Sequence, residues 1–254
     1  MPLAATSQIL AVAVLAAIGA GLAAAALRAA RKTRFTLGQL PLMALNVIYT
    51  RVVWRTTVSG VFDLPPGQGA VIICNHRCSL DPAFIGLMVN RIVHWMVAQE
   101  YWAIPVLGWF FRTCQCIPVS RGGIDTAATK IAIRYAAQGE LVGMLPEGRI
   151  NETRQLLLPA RPGFVLVALK ARVPVVPCYI DGAPYDGTVW GCLFTPAKVR
   201  LVIGKPIDLS AYYDCDRNRE VLNMLTERVL HEIAVLAGDP EFQPHLAPRL
   251  YKPD

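Results

Sequence analysis

The chain has 254 residues, enough for one sizeable core or for one catalytic domain with a short appendage. It is 54% hydrophobic and 17% charged, too apolar for an ordinary soluble enzyme, yet with too few long apolar runs for a polytopic transporter. The net charge of +7 points to an anionic partner. Its Lys and Arg residues are scattered, with no nucleic-acid motif, stripe or aromatic platform, so the expected partner is an anionic membrane surface or a phosphorylated substrate, and not nucleic acid.

Residues 8–27 are uncharged and rich in Ala, Leu, Ile and Val. That length as a helix suits the ~30 Å hydrocarbon layer. No Lys or Arg precedes the stretch, whereas Arg28, Arg31, Lys32 and Arg34 follow it. A secretory signal has the reverse order, and the positive-inside rule places the remainder of the chain in the cytoplasm. The expected location is therefore the inner membrane, with the catalytic domain facing the cytoplasm. A second apolar stretch, 37–53, is interrupted by Gly38, Pro41 and Asn46. It suits either an interfacial helix with Tyr49 and Trp54 at the headgroup boundary, or a helix packed on the domain that follows.

From about residue 60 the pattern alternates between strands and helices. Residues 70–74, 92–97, 114–119, 141–145, 175–180 and 198–203 read as strands. Residues 125–138 read as a helix with Asp125 as its cap and Gly139 as its stop, and 163–172 as another. A last helix over 219–236 places Leu222, Leu225, Val229, Ile233 and Leu236 on one face. The expected fold is α/β: a single catalytic domain over 58–238 with a mixed central sheet flanked by helices. N-terminal membrane-associated helices would occupy 1–57, and a Pro-rich tail without regular structure 239–254. The seven cysteines include no C-x-x-C pair and lie mostly in strand-like runs, which suits reduced buried thiols better than zinc or disulfides.

Three groups of residues bear chemistry. Strand 70–74 ends at Asn75-His76-Arg77-Cys78-Ser79-Leu80-Asp81. A histidine there can exchange a proton near neutral pH, and a carboxylate on its other ring nitrogen would fix its tautomer. The same spacing also suits a structural histidine followed by an aspartate cap and Pro82. Ser79 lacks a G-x-S-x-G elbow and reads as a turn residue. Pro146-Glu147-Gly148-Arg149 follows strand 141–145, and a carboxylate and guanidinium at a strand end must be paired or functional if buried. Arg121 with Gly122 and Gly123 follows the third strand and offers a planar fork suited to phosphate oxygens.

In this order the motifs resemble the family of 1-acylglycerol-3-phosphate acyltransferases and related glycerolipid acyltransferases. That family shows N-H-x-x-x-x-D, an arginine after a short strand, F-P-E-G-T-R, and V-P-[VI]-[VI]-P. The counterparts here are 75–81, 117–121, 145–149 and Val173-Pro174-Val175-Val176-Pro177. The resemblance spans roughly residues 58–210. It implies a fatty acyl group transferred from a thioester donor, acyl-CoA or acyl carrier protein, to the free hydroxyl of 1-acylglycerol-3-phosphate, giving phosphatidic acid. It further implies His76 as general base oriented by Asp81, with Asn75, Arg121, Glu147, Gly148, Arg149 and Arg161 at the acceptor site. Residues 173–177 would line a cleft, and neither metal, cofactor nor acyl-enzyme would be required. Two departures stand out. The E-G-T-R threonine is absent, so Arg149 sits one place early with Arg154 as a substitute, and Arg161 replaces a usual lysine. They leave another lysophospholipid or an aminolipid as alternative acceptors, and a non-catalytic membrane-anchored lipid-binding protein as the rival of another class.

Overall fold

The computed structural model describes residues 28, 33–120, 125–185, 187–188 and 190–248. The expected span at 8–27, Arg121 and the end of the tail lie outside the described residues. Among the described residues no helix is long and apolar enough to cross a membrane.

Seven strands form one mixed sheet: β1 (Thr57–Ser59), β2 (Ala70–Cys74), β3 (Val93–Ala98), β4 (Ile117–Val119), β5 (Leu141–Met144), β6 (Val175–Asp181) and β7 (Arg200–Ile203), in the order β1-β7-β6-β2-β5-β3-β4. All neighbouring pairs are parallel except β6 with β7. The centre of the sheet is covered on both faces, which explains why β2 is a run of five buried residues and not an alternation.

Because side chains alternate across a strand, Val71 and Ile73 enter one core layer while Ile72 and Cys74 enter the other. The first layer is closed by α4 (Thr126–Ala137), α5 (Gly163–Ala171) and α6 (Arg219–Ala237), the last burying Leu225, Val229 and Ile233. Asp125 caps α4 by accepting from the Ala128 amide at 2.9 Å, and its other oxygen accepts from the Ser120 amide at 2.8 Å. These amide hydrogen bonds hold its carboxyl below the usual range and pin both flanks of the segment containing Arg121. The described part of the tail has no helix or strand but is tied down by a parallel bridge between Ala160 and Leu246: the Ala160 amide donates to the His245 carbonyl, and the Ala247 amide to the Ala160 carbonyl.

The second layer contains Trp54, Phe84 and Ile85, contributed by the segment before β1 and by the short α2 (Asp81–Ile85). Helix α1 (Leu40–Ile48) runs into a π-helical turn, Tyr49–Val53. One side of this segment packs on the domain, with the Asn46 side chain donating to the Ala83 carbonyl at 2.9 Å. Its other side leaves Leu45, Ile48 and Val52 exposed. The packed reading of 37–53 therefore holds for one face, and the other leaves an apolar strip open. For Trp54 the packed alternative holds and the headgroup boundary does not: it is only 2% exposed, lies edge-on to Phe84, and donates its indole N–H to the Cys192 carbonyl. A buried indole finds both packing and an acceptor there.

The third strand is shorter than expected. Helix α3 (Pro105–Thr113) runs almost to Cys114, and Gln115 turns the chain with φ +52° before β4 begins at Ile117. All seven cysteines are free, and Cys74, Cys78, Cys178 and Cys192 are buried.

Candidate active site

The site is built where β2 and β5 end side by side. Asn75, fully buried, clamps β2 to β6: its amide donates to the Ile180 carbonyl and its carbonyl accepts from the Ile180 N–H, each at 2.8 Å. Beyond this clamp the chain turns, and the Asp81 amide donates to the Cys78 carbonyl as α2 begins. That tight turn brings Asp81 Oδ2 to 2.9 Å from His76 Nδ1. The same oxygen accepts from the backbone N–H groups of Arg77 at 2.6 Å and Cys78 at 3.0 Å. An ionised carboxylate accepts all three bonds, and with Nδ1–H donating to it, the His76 Nε2 lone pair is free to accept a proton. Asp81 has no exposed side-chain surface, whereas His76 keeps 14%. The orienting group is therefore sealed and the ring reaches the surface.

Glu147 sits beneath this turn, turned inward. Its two oxygens accept from the His76 N–H at 2.7 Å and the Leu158 N–H at 2.8 Å. Burial pushes its carboxyl up to about 7, against the opposing pull of the Leu158 and His76 amides and the nearby His76 and Arg77 side chains. The Asn151 N–H closes the frame by donating to the His76 carbonyl at 2.7 Å.

The expected site residues are brought together unevenly. His76, Asp81 and Glu147 form one hydrogen-bonded unit, and Asn75, next in the chain, is bonded to Ile180 instead. Gly148 is exposed on the adjoining turn with φ +72°, a conformation that glycine adopts without strain. Arg161 is brought to the same turn through its backbone N–H, which donates to the Pro146 carbonyl at 3.1 Å. Arg149, next to Gly148, is half-buried. Residues 173–177 do not line a cleft: Val175 and Val176 have no exposed surface, because β6 lies between β2 and β7.

Arg77 has a part that the sequence did not single out. Its guanidinium donates to the carbonyls of Thr153 at 2.9 Å and Gln155 at 2.7 Å, with a longer bond to Asn151 at 3.2 Å. It thereby holds the loop that carries Asn151 and leads to Leu158. The only available signal was a cation inside a motif that otherwise enters the core. Ser79, read as a turn residue, places its Oγ 3.2 Å from Cys192 Sγ. Hydrogen bonding to Cys192, together with burial, pushes the Cys78 thiol up, which keeps it protonated and unsuited to nucleophilic attack. Among the described residues no group of three or more His, Cys, Asp or Glu side chains clusters as metal ligands do.

The mixed α/β sheet presents an oriented, surface-reaching imidazole at the end of a central strand, an arrangement that can exchange a proton with a bound hydroxyl. The chain belongs to the acyltransferase family, whose family model matches residues 55–181. It is 28% identical over 176 residues to a Bacillus subtilis 1-acyl-sn-glycerol-3-phosphate acyltransferase, covering 68% of this chain and 84% of that one. It is 30% identical over 132 residues to an Arabidopsis thaliana N-acylphosphatidylethanolamine synthase, covering 48% and 46%. The crystal structure of the Thermotoga maritima 1-acyl-sn-glycerophosphate acyltransferase has the same fold, with TM-score 0.61 and 22% identity over 79% of this chain and 81% of that one.

Proposed function

We propose that this enzyme acylates the free hydroxyl of 1-acylglycerol-3-phosphate, with a fatty acyl thioester of coenzyme A or acyl carrier protein as donor. The observation that carries this reading is the 2.9 Å His76–Asp81 contact at the surface end of β2. His76 Nε2 takes the proton of the acceptor hydroxyl as its oxygen bonds to the thioester carbonyl carbon. Collapse of the tetrahedral species breaks the carbon–sulfur bond, and the imidazolium returns the proton to the departing thiolate. The products are one ester and one thiol, with no acyl-enzyme between them. Asp81 stabilises the imidazolium while the proton resides there. Arg149 and Arg161, at the turn that exposes Gly148, hold the acceptor phosphate, and Arg121 is assigned to the same phosphate by the family motif alone.

Membrane attachment belongs to the same reading. An acceptor that resides in a bilayer requires a site at its surface, and the exposed Leu45, Ile48 and Val52 of the α1 segment supply apolar contact. The catalytic domain faces the cytoplasm, where both thioester carriers are found.

A second acceptor class, an aminolipid or another lysophospholipid, is favoured by the displaced Arg149 and by the likeness to a synthase of N-acylphosphatidylethanolamine. Purified enzyme offered equal concentrations of 1-acylglycerol-3-phosphate, other lysophospholipids and phosphatidylethanolamine, with both thioester carriers, separates the two. Preferential formation of phosphatidic acid is expected. Transfer only to an amine or to another lysophospholipid would replace the first reading with the second.

A further inference from the structure

Residues 190–199, between β6 and β7, carry two aromatic side chains in the open: Phe194 is 80% exposed and Trp190 46%. Such exposure costs free energy in water, and a loose loop would fold its rings against the nearest apolar surface. This segment is not loose. It begins with a 3-10 turn, Gly191–Leu193, closed by the Phe194 N–H on the Gly191 carbonyl and by the Thr195 hydroxyl on the same carbonyl. Its polar backbone groups are spent inward, on the segment that follows α1. The Tyr49 hydroxyl donates to the Leu193 carbonyl, the Trp54 indole to the Cys192 carbonyl, the Ala197 N–H to the Val53 carbonyl and the Val199 N–H to the Trp54 carbonyl. The fold therefore displays two rings outward from a braced backbone.

The segment also lies against the catalytic turn, through Ser79 Oγ and Cys192 Sγ. On its other flank it adjoins the π-helical turn that exposes Val52, 68% open. Exposed cations belong to the same two segments: Lys198 lies within 190–199, Arg55 donates to the Ala197 carbonyl, and Arg51 is next to Val52 in the π-helical turn. Exposed aromatics and cations on one surface segment are the chemistry of a surface meeting anionic headgroups, with the rings at the level of the upper acyl chains and the charges at the phosphates.

We infer that residues 190–194 form a second membrane-contacting element, which inserts Phe194 and Trp190 into an anionic bilayer beside the α1 segment and sets the catalytic turn at the lipid surface. This rests on the membrane-bound acyltransferase reading, and deepens it by assigning the contact to a loop inside the catalytic domain.

Tryptophan quenching tests it directly, because the α1 segment itself contains no tryptophan and Trp54 is buried. Full-length enzyme is reconstituted into vesicles of dibrominated phosphatidylcholine and an anionic phospholipid. The emission lost between wild type and Trp190→Phe is expected to be bromine-quenched and inaccessible to aqueous iodide, whereas Trp95→Phe removes a buried signal that neither quencher reaches. A Trp190 emission quenched by iodide and untouched by bromolipid would overturn the inference. Phe194→Asp is expected to slow turnover of a bilayer-embedded acceptor about tenfold, with little change on a short-chain acceptor dispersed as monomers. Equal losses on both acceptors would also overturn it, since the loop would then act through the catalytic turn and not through the bilayer. Failure of the acyltransferase reading is separable: the wild type would then acylate neither acceptor, whatever the quenching shows.

Discussion

The end of β2 and the flank formed by the α1 segment with residues 190–199 sit side by side and spend their side chains in opposite ways. At the end of β2 nearly every polar group is used internally: Asn75 on Ile180, Asp81 on three donors, Glu147 on two amides, Arg77 on a row of carbonyls. The His76 ring keeps 14% of its surface open. On the flank, hydrogen bonds again face inward, but large apolar groups are left in the open. The first region needs one geometry, because a proton-transfer group misplaced by about 1 Å loses much of its effect. The second needs only an apolar face and some positive charge, because a fluid bilayer adapts to whatever shape it meets.

Substitutions at the end of β2 should therefore act on chemistry, and substitutions on the flank on access to lipid. The largest effect around the base is expected at Asp81. An asparagine there keeps the size but cannot stabilise an imidazolium, so Asp81→Asn should lower turnover by about 10²–10⁴-fold, no more than the loss of the base itself, with little change in acceptor KM. A fall carried by KM alone would move Asp81 from orienting the base to binding substrate.

Glu147 should reveal itself in stability. The folded chain holds its proton up to about pH 7, whereas the unfolded chain releases it near 4.5. The folded state binds more protons across that interval, so stability falls as pH rises through it, by about 3 kcal/mol in all. Glu147→Gln removes a group that titrates there, and denaturant titrations at pH 5 and pH 7.5 should show a smaller difference than in wild type. Glutamine also turns an NH2 toward one of the two amides that the carboxyl accepts from, costing about 1–3 kcal/mol. An unchanged pH slope would mean that Glu147 is ionised throughout.

The smallest effect on stability is expected on the flank. Leu45→Ser with Ile48→Ser should alter unfolding free energy by no more than about 0.5 kcal/mol per site, because both side chains already face outward. The same variant should lose rate on bilayer acceptor while keeping it on monomeric acceptor. A stability loss of several kcal/mol would show that these residues are covered by protein.

Much of this was legible in the sequence, for local reasons. An apolar run ending in Asn-His predicted β2 and its turn, and a lone Asp before a helical pattern predicted the cap of α4. The start of α2 at Asp81, which closes the proton-transfer pair, is local too. What stayed hidden depends on distant partners. β1 is three residues long and exists by pairing with β7, more than 140 residues later. Trp54 after an apolar stretch reads the same whether it meets lipid or Phe84. Glu147 looked like part of an anion pocket, and its inward turn follows from two backbone amides, at His76 and Leu158, that have to find an acceptor. The family resemblance implied a cleft lining at Val175 and Val176, whereas the strand legible at 175–180 buries both between β2 and β7.

The central claim is that His76 takes the proton of the acceptor hydroxyl, and its most direct test is the single-turnover rate of thiol release from an acyl thioester in the presence of saturating 1-acylglycerol-3-phosphate. His76→Ala, with wild-type unfolding behaviour, should lower that rate by about 10²–10⁴-fold. A rate equal to that of the wild type would contradict the claim and leave the His76–Asp81 contact as a structural feature of the turn.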